Sequence, residues 1–397
     1  MANNSNEEET SKNDGINNSI YYVSFSFSII SFLLPVYSKR IGANAFEIGI
    51  LFSVFSFVTL LLRPIIGWAI DKFGRRKFFV LSLLFYAFAM LLFSTATSIK
   101  WLYLARTLQG IGSSILWTTA YTLASDLSSE KDKGKIMGMI NEISSRGSFI
   151  GAIIGFIALG MMTLMTGWKV IFSGYAVLAA IAAIIAWKRV PDIKSTKEVT
   201  DRKVLLNSDF VKIVFIILIS SIGSSMLNPM LMIYLQDKFT TDISMLAIAS
   251  IPAAIIISIL PSKTGRFSDK VGRILPLEIG YLICGISSIL IINATNLYML
   301  VAFWAIEAIG IALLLPAEQA IISDITGKNL AGTGYGIYMF ASGIGNVAGP
   351  ILGGVLYENY LHEMPFYICG ILLVVSSFLT LILFRKNKFL IKPDGLI

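Results

Sequence analysis

The chain has one histidine and two cysteines in 397 residues, and only 14% of its residues are charged. A soluble domain carries about 25% charged residues, so a chain that is 55% hydrophobic at this charge content lacks the polar surface that water demands. Two cysteines exclude a disulfide scaffold, and the abundance of large apolar residues excludes intrinsic disorder. Cys284 and Cys369 fall inside apolar runs, where a thiol serves as a small packing group. His362, the sole histidine, leaves no pair to bind zinc or relay a proton, so no metal site is expected. The net charge of +8 does not point to nucleic acid, because the basic residues flank hydrophobic runs instead of gathering on one soluble face. The N-terminus carries Glu7, Glu8, Glu9 and Asp14 and lacks the basic-then-apolar pattern of a signal peptide, which makes it a polar tail. What remains is an all-α polytopic membrane protein whose surroundings are the lipid bilayer, since the polar residues do not alternate as in barrel strands.

Apolar runs of membrane-crossing length predict twelve transmembrane helices. Six lie near 19–38, 46–70, 78–98, 101–125, 136–160 and 168–187, and six near 211–236, 243–262, 274–293, 297–322, 331–357 and 364–384. The longest polar stretch between them separates two bundles. The expected organisation is a tail over 1–18, a six-helix bundle over 19–187, a linker over 188–210, a second six-helix bundle over 211–385 and a tail over 386–397. Of the 32 lysines and arginines, 24 fall on the side that holds both termini, five on the other and three within spans. The excess of basic residues on one side places the N- and C-termini in the cytoplasm of a multi-pass plasma (inner) membrane protein. Trp101, Trp168 and Trp187 lie at span ends and read as interface anchors.

The two bundles are copies. Gly67, Asp71, Gly74 and Arg75 recur as Gly265, Asp269, Gly272 and Arg273, each displaced by 198 positions. The register continues: Ser125 and Asp126 match Ser323 and Asp324, and Gly147, Gly151 and Gly155 match Gly345, Gly349 and Gly353. Two parallel six-helix repeats are an architecture of secondary transporters. The glycine, aspartate and arginine spacing after span two resembles motif A of the major facilitator superfamily. The segment from Arg106 through Gln109, Gly110 and Gly112 is similar to its motif B, and Arg63-Pro64 resembles the drug-efflux and arabinose-efflux permeases of that superfamily. Gly147, Gly151 and Gly155 resemble motif C of the proton-coupled drug antiporters, although Ala152 and Phe156 depart from it. The fuller version, Gly345, Gly349, Pro350, Gly353 and Gly354, sits in span eleven.

The resemblance implies a transporter working by alternating access, with residues 1–190 rocking against 210–397 around a midplane cavity. It implies proton-coupled export of small amphipathic compounds by an antiporter that needs no cofactor beyond the proton gradient. A monomer is expected. A proton symporter or uniporter for a sugar, organic anion or other metabolite is the alternative, and a non-transporting membrane sensor the remote one. An enzyme is not expected, because no nucleophile-base set or metal-ligand set lies within the spans.

Charge inside a span costs about 2.5 to 3.5 kcal/mol on insertion scales, so each such residue requires a partner or a function. Arg106 lies in span four, Glu142 and Arg146 lie four residues apart in span five, and Glu307 lies in span ten. The equivalents of Glu142 and Arg146 in the second repeat are Phe340 and Ile344, so only the first half carries the pair. The candidates for proton coupling are therefore Glu142, with Arg106 and Arg146 tuning it, and Glu307. A neutralised pair that only stiffens the bundle is the competing reading of Glu142 and Arg146. Gly67 and Gly74 are expected to allow close approach of helices and turn, with Asp71 pairing to Arg75 and Asp269 to Arg273 as the gate. Asn228, beside Pro229 in span seven, and Trp304 are candidate cavity-lining residues.

Overall fold

The computed structural model describes residues 14–126, 133–192 and 208–384. The expected tails, and the linker basic residues Lys194, Lys197, Arg202 and Lys203, lie wholly or partly outside the described residues. Among the described residues the backbone is helical or turn, with no strand. The first six helices are α1 (Asp14–Arg40), α2 (Ala45–Phe73), α3 (Arg75–Thr95), α4 (Ile99–Asp126), α5 (Lys133–Met161) and α6 (Leu164–Arg189). The second six are α7 (Ser208–Lys238), α8 (Ile243–Ile259 bent by 46° into Pro261–Val271), α9 (Ile274–Ile292), α10 (Leu297–Thr326) and α11 (Gly334–Asn359), two span-length stretches of one continuous helix Leu297–Asn359, and α12 (Met364–Phe384). α1 begins at Asp14, ahead of the boundary expected at residue 18.

Ten of these helices are long and apolar enough to cross a membrane, and the bent pair of α8 makes eleven. α4 is the twelfth. Its 28 residues have the length of a span, but Arg106, Gln109, Ser113, Ser114 and Thr119 lower its hydropathy, and all five are buried in the protein. Its polar atoms face neighbouring helices, where a membrane helix can tolerate them.

The chain forms two compact units. The first comprises residues 1–43 and 54–199, and the second comprises residues 44–53 and 200–397. Each expected six-helix bundle falls within one unit except for the first turns of α2. These turns pack on α11: Gly49 lies against the Pro350 carbonyl and Gly354 against Ala45, at both of which a Cβ would stand closer than 3.0 Å. The Ala45 N–H donates to the Glu358 carboxylate at 3.0 Å, and Ser53 Oγ donates to the Val347 carbonyl at 2.6 Å. Hydropathy carries no information about such a contact.

Within each unit the glycine stripe of its fifth helix packs on its first. In the first unit, Gly147 and Gly151 meet the carbonyls of Tyr21 and Phe25, while Ser24 and Ser28 hydrogen-bond Ser144 and Ser148 at 3.0 and 2.5 Å. In the second, Gly345, Gly349 and Gly353 meet Ser221, Ser225 and Met226, and Ser225 Oγ donates to the Gly345 carbonyl at 2.8 Å. Lipid gives little hydrophobic drive for helices to associate, so small residues that let backbones touch and hydroxyls that bond across the seam hold the pair together. Trp168 is not an interface anchor. It is buried, stacked on Tyr37 with ring centroids 3.8 Å apart, and donates its indole N–H to the Phe93 carbonyl.

Candidate functional site

The motif A positions form an ion-pair node at the end of each unit. Gly74 has φ +88° and Gly272 φ +92°, a left-handed conformation that glycine adopts without a Cβ penalty. Each turn delivers the next arginine to the start of a helix. Arg75 is buried and pairs with both Asp71, at 3.4 Å, and Asp126 at the end of α4. Arg273 repeats the arrangement, bonding Asp269 at 2.5 Å and Asp324 at 2.9 Å. Partial burial by itself would lower the Arg273 pKa, but the hydrogen bonds and charges of Asp324 and Asp269 outweigh it and hold the guanidinium above its ordinary value. The paired sequence matches Asp126 and Asp324 thus acquire a role that their spacing alone did not disclose. Gly67 differs from expectation: a Cβ there would meet nothing within 4 Å in the described structure, so it does not serve a close approach. Gly265 is also relaxed, with its nearest neighbour Pro316 at ordinary contact distance.

Of the charges inside spans, Arg106 is buried on α4, donates to Gln109 Oε1 at 2.8 Å, and lies 4.5 Å from the Phe55 ring centroid. An amide oxygen one turn away and an aromatic face replace part of its lost hydration. Glu142 and Arg146 form the expected pair at 2.5 Å, with their side chains 59% and 68% exposed. The same face of α5 continues through the exposed Phe149, Ile153 and Ile157. Neighbouring Asn141 accepts a hydrogen bond from Tyr121 at 2.6 Å.

Glu307 differs. It is buried on α10, and among the described residues its carboxyl has no hydrogen-bond partner, while its main-chain carbonyl accepts from Cys284 Sγ at 3.5 Å. Asn228 is exposed on α7, next to the buried Pro229, and Trp304 is half-buried on α10. The structure brings neither of them into a hydrogen bond with the intramembrane charges.

Sequence reasoning passed over Glu318. This carboxylate, three turns beyond Glu307 on α10, accepts from Tyr281 of α9 at 2.7 Å and from Tyr338 of α11 at 3.3 Å, and Ser220 of α7 joins Tyr281 at 3.3 Å. Three neighbouring helices thereby converge on one charge. Glu318 lies inside the predicted tenth span, so the rule that selected Glu307 would have selected it too.

The comparisons with known proteins agree with this architecture. The family model described as Major Facilitator Superfamily matches residues 20–215 and 213–395. Multidrug resistance protein 1 of Bacillus subtilis (strain 168) is 27% identical over 354 residues, spanning 87% of this chain and 90% of its own. Quinolone resistance protein NorA of Staphylococcus aureus (strain MSSA476) is 22% identical, spanning 88% of this chain and 90% of its own. A solved bacterial homologue of the human lysosomal transporter Spinster, described as inward-facing and occupied, superposes with a TM-score of 0.80 at 15% identity, covering 97% of this chain and 98% of that one. The human organic anion transporter MFSD10 (TETRAN) gives a TM-score of 0.67 at 16% identity, covering 94% and 99%.

Proposed function

The chain belongs to the Major Facilitator Superfamily, and on that footing we propose that it exports small amphipathic compounds in exchange for protons by alternating access. The observation that carries the export reading is the alignment of multidrug and quinolone resistance proteins over nearly nine-tenths of its length. The protein works as a monomer in the plasma membrane, with both termini in the cytoplasm as the basic residues indicate.

Proton exchange needs an acidic group that can lose and regain its proton as the surroundings change. Glu307, buried without a carboxyl partner among the described residues, suits that task better than Glu142, which stands exposed beside Arg146. Glu318, with its two tyrosine donors, is the second buried candidate. The motif A nodes act as gates: a pair such as Arg75 with Asp126 holds one conformational state and breaks in the other. A second reading has its own support, since Arg106 places a buried positive charge in α4 and would suit an anionic substrate in a symporter or uniporter.

The test is purified protein in liposomes with an imposed pH gradient, offered lipophilic cations, sugars and organic anions in turn while proton flux is recorded. Flux evoked by amphipathic drug-like compounds is the expected result. Flux evoked only by an anion or a sugar would replace export with the second reading.

A further inference from the structure

At the end of the first unit that carries motif A, one arginine engages two acids. Arg75 takes both Asp71 and Asp126. The next two residues, Arg76 and Lys77, have no carboxylate partner among the described residues, and neither do Lys188 and Arg189 in the last turn of α6. Asp14 and Asp192, the other acids on these segments, form no ion pair there either.

The α3 and α6 ends are joined. Arg76 donates to the main-chain carbonyl of Trp187 and lays its guanidinium over the Trp187 ring, 4.8 Å from the centroid. Its Nε is buried and has no hydrogen-bond partner among the described residues. The first turn of α3 has no acidic residue and no side-chain cap, so its free N–H groups add to the positive field. Four cations without a carboxylate partner among the described residues repel each other unless an anion sits among them.

Two features say which anion. Lys77 heads a stripe of exposed apolar residues on α3, namely Leu81, Leu84 and Phe88, at helical spacing. Lys188 ends the matching stripe on α6, Val177, Ile181 and Ile184. An anionic group bound at the cations would have hydrocarbon-facing surface directly beneath it, which suits a phospholipid. The second feature is the repeat. Arg273 keeps the ion-pair role of Arg75, yet Ile274 and Leu275 stand where Arg76 and Lys77 do in the first copy, so the gate itself does not require these cations.

We propose that the α3–α6 junction, through Arg76, Lys77, Lys188 and Arg189 with Trp187 as the interfacial platform, binds the phosphate headgroup of an anionic phospholipid. Clusters of basic residues between transmembrane helices at a membrane face recognise such headgroups by charge and hydrogen bonding. The inference is independent of what the protein transports.

The probes are phosphatidylglycerol, phosphatidylcholine and inorganic phosphate, and the readout is lipid retained by the intact purified protein in native mass spectrometry. The native chain should hold phosphatidylglycerol at least about tenfold more tightly than phosphatidylcholine, and the double variant R76Q/K77Q should lose that preference. The charge-preserving pair R76K/K77R should keep it. Equal retention by the native chain and R76Q/K77Q would overturn the proposal and leave these cations a role in membrane orientation alone. Displacement of phosphatidylglycerol by inorganic phosphate would also overturn it, by making the site one for the free ion. Should R76Q/K77Q fail to fold, hydrogen exchange of the native chain in phosphatidylglycerol against phosphatidylcholine nanodiscs decides the matter. Protection confined to the α3 start and α6 end supports the lipid site, and protection elsewhere or nowhere sinks it.

Discussion

Arg273 donates through Nε to Asp324 at 2.9 Å, across 51 residues of sequence, and through Nη1 to Asp269 one turn behind it. Arg75 makes the same two connections to Asp126 and Asp71, so one three-residue node is built twice, once in each unit. The copies differ in depth: the Arg75 side chain is 4% exposed and the Arg273 side chain 17%.

That difference predicts unequal costs. Asp126→Asn removes a carboxylate from a buried guanidinium and should destabilise by about 3 kcal/mol, as breaking buried pairs does. Asp324→Asn, beside a more hydrated arginine, should cost about 1 kcal/mol. Thermal unfolding of the two variants in the same detergent compares them, and equal losses would contradict the depth argument.

The glycine stripes make a contrast within one protein. Gly151→Val would drive a branched side chain into the Phe25 backbone, and Gly349→Val would do the same against Ser225 and Ile222, so both should abolish a monodisperse product. Gly67→Ala has open space around it and should behave as the native chain within about 0.5 kcal/mol. Size-exclusion profiles of the three variants suffice as a check.

The seam between α2 and α11 is open to the same approach. Gly354→Val should displace the start of α2 from α11, whereas Glu358→Gln keeps an acceptor for the Ala45 N–H and should cost no more than about 1 kcal/mol. Thermal unfolding of the two variants in detergent compares them, and Gly49→Val should behave like Gly354→Val, because a Cβ at position 49 would meet the Pro350 carbonyl closer than 3.0 Å.

For proton coupling, Glu307→Gln should reduce uphill, gradient-driven transport at least about tenfold while leaving downhill exchange of substrate, because a fixed neutral amide cannot cycle a proton. Glu142→Gln should have a smaller effect, since both it and its partner Arg146 are exposed and such pairs contribute little. The reverse ranking, measured in proteoliposomes, would return the role to Glu142. Glu318→Gln serves as the third arm, and Tyr281→Phe with it tests whether the tyrosine donor sets the behaviour of that carboxyl.

Much of this site was legible as chemistry but not as environment. Glu142 and Arg146 are four residues apart, so their pairing follows from helix geometry alone. Their exposure does not, because it depends on which face of α5 meets α1, and that face is the one carrying Gly147 and Gly151. Trp168 lay at a span end like Trp187, yet the first is buried against Tyr37 and the second is exposed. A position near a membrane boundary does not say whether another helix covers it. Gly67 shows the same limit from the other side, since a glycine in a recognisable motif carries no record of whether anything approaches it.

What the amino-acid order determined by itself is the membrane class, the number of spans and the duplication, because hydropathy over about 20 residues and a shift of 198 positions are properties of the chain read along its length. It also marked the arginines and glycines of the motif turns, where a left-handed backbone leaves no other residue at ease. Tertiary structure decided that Asp126 and Asp324 join the motif arginines, which carboxylates are buried, and that the first turns of α2 side with α11. Those outcomes turn on surfaces meeting across tens or hundreds of residues, and the free energy of an ionised group in a membrane depends on what touches it and not on its neighbours in sequence.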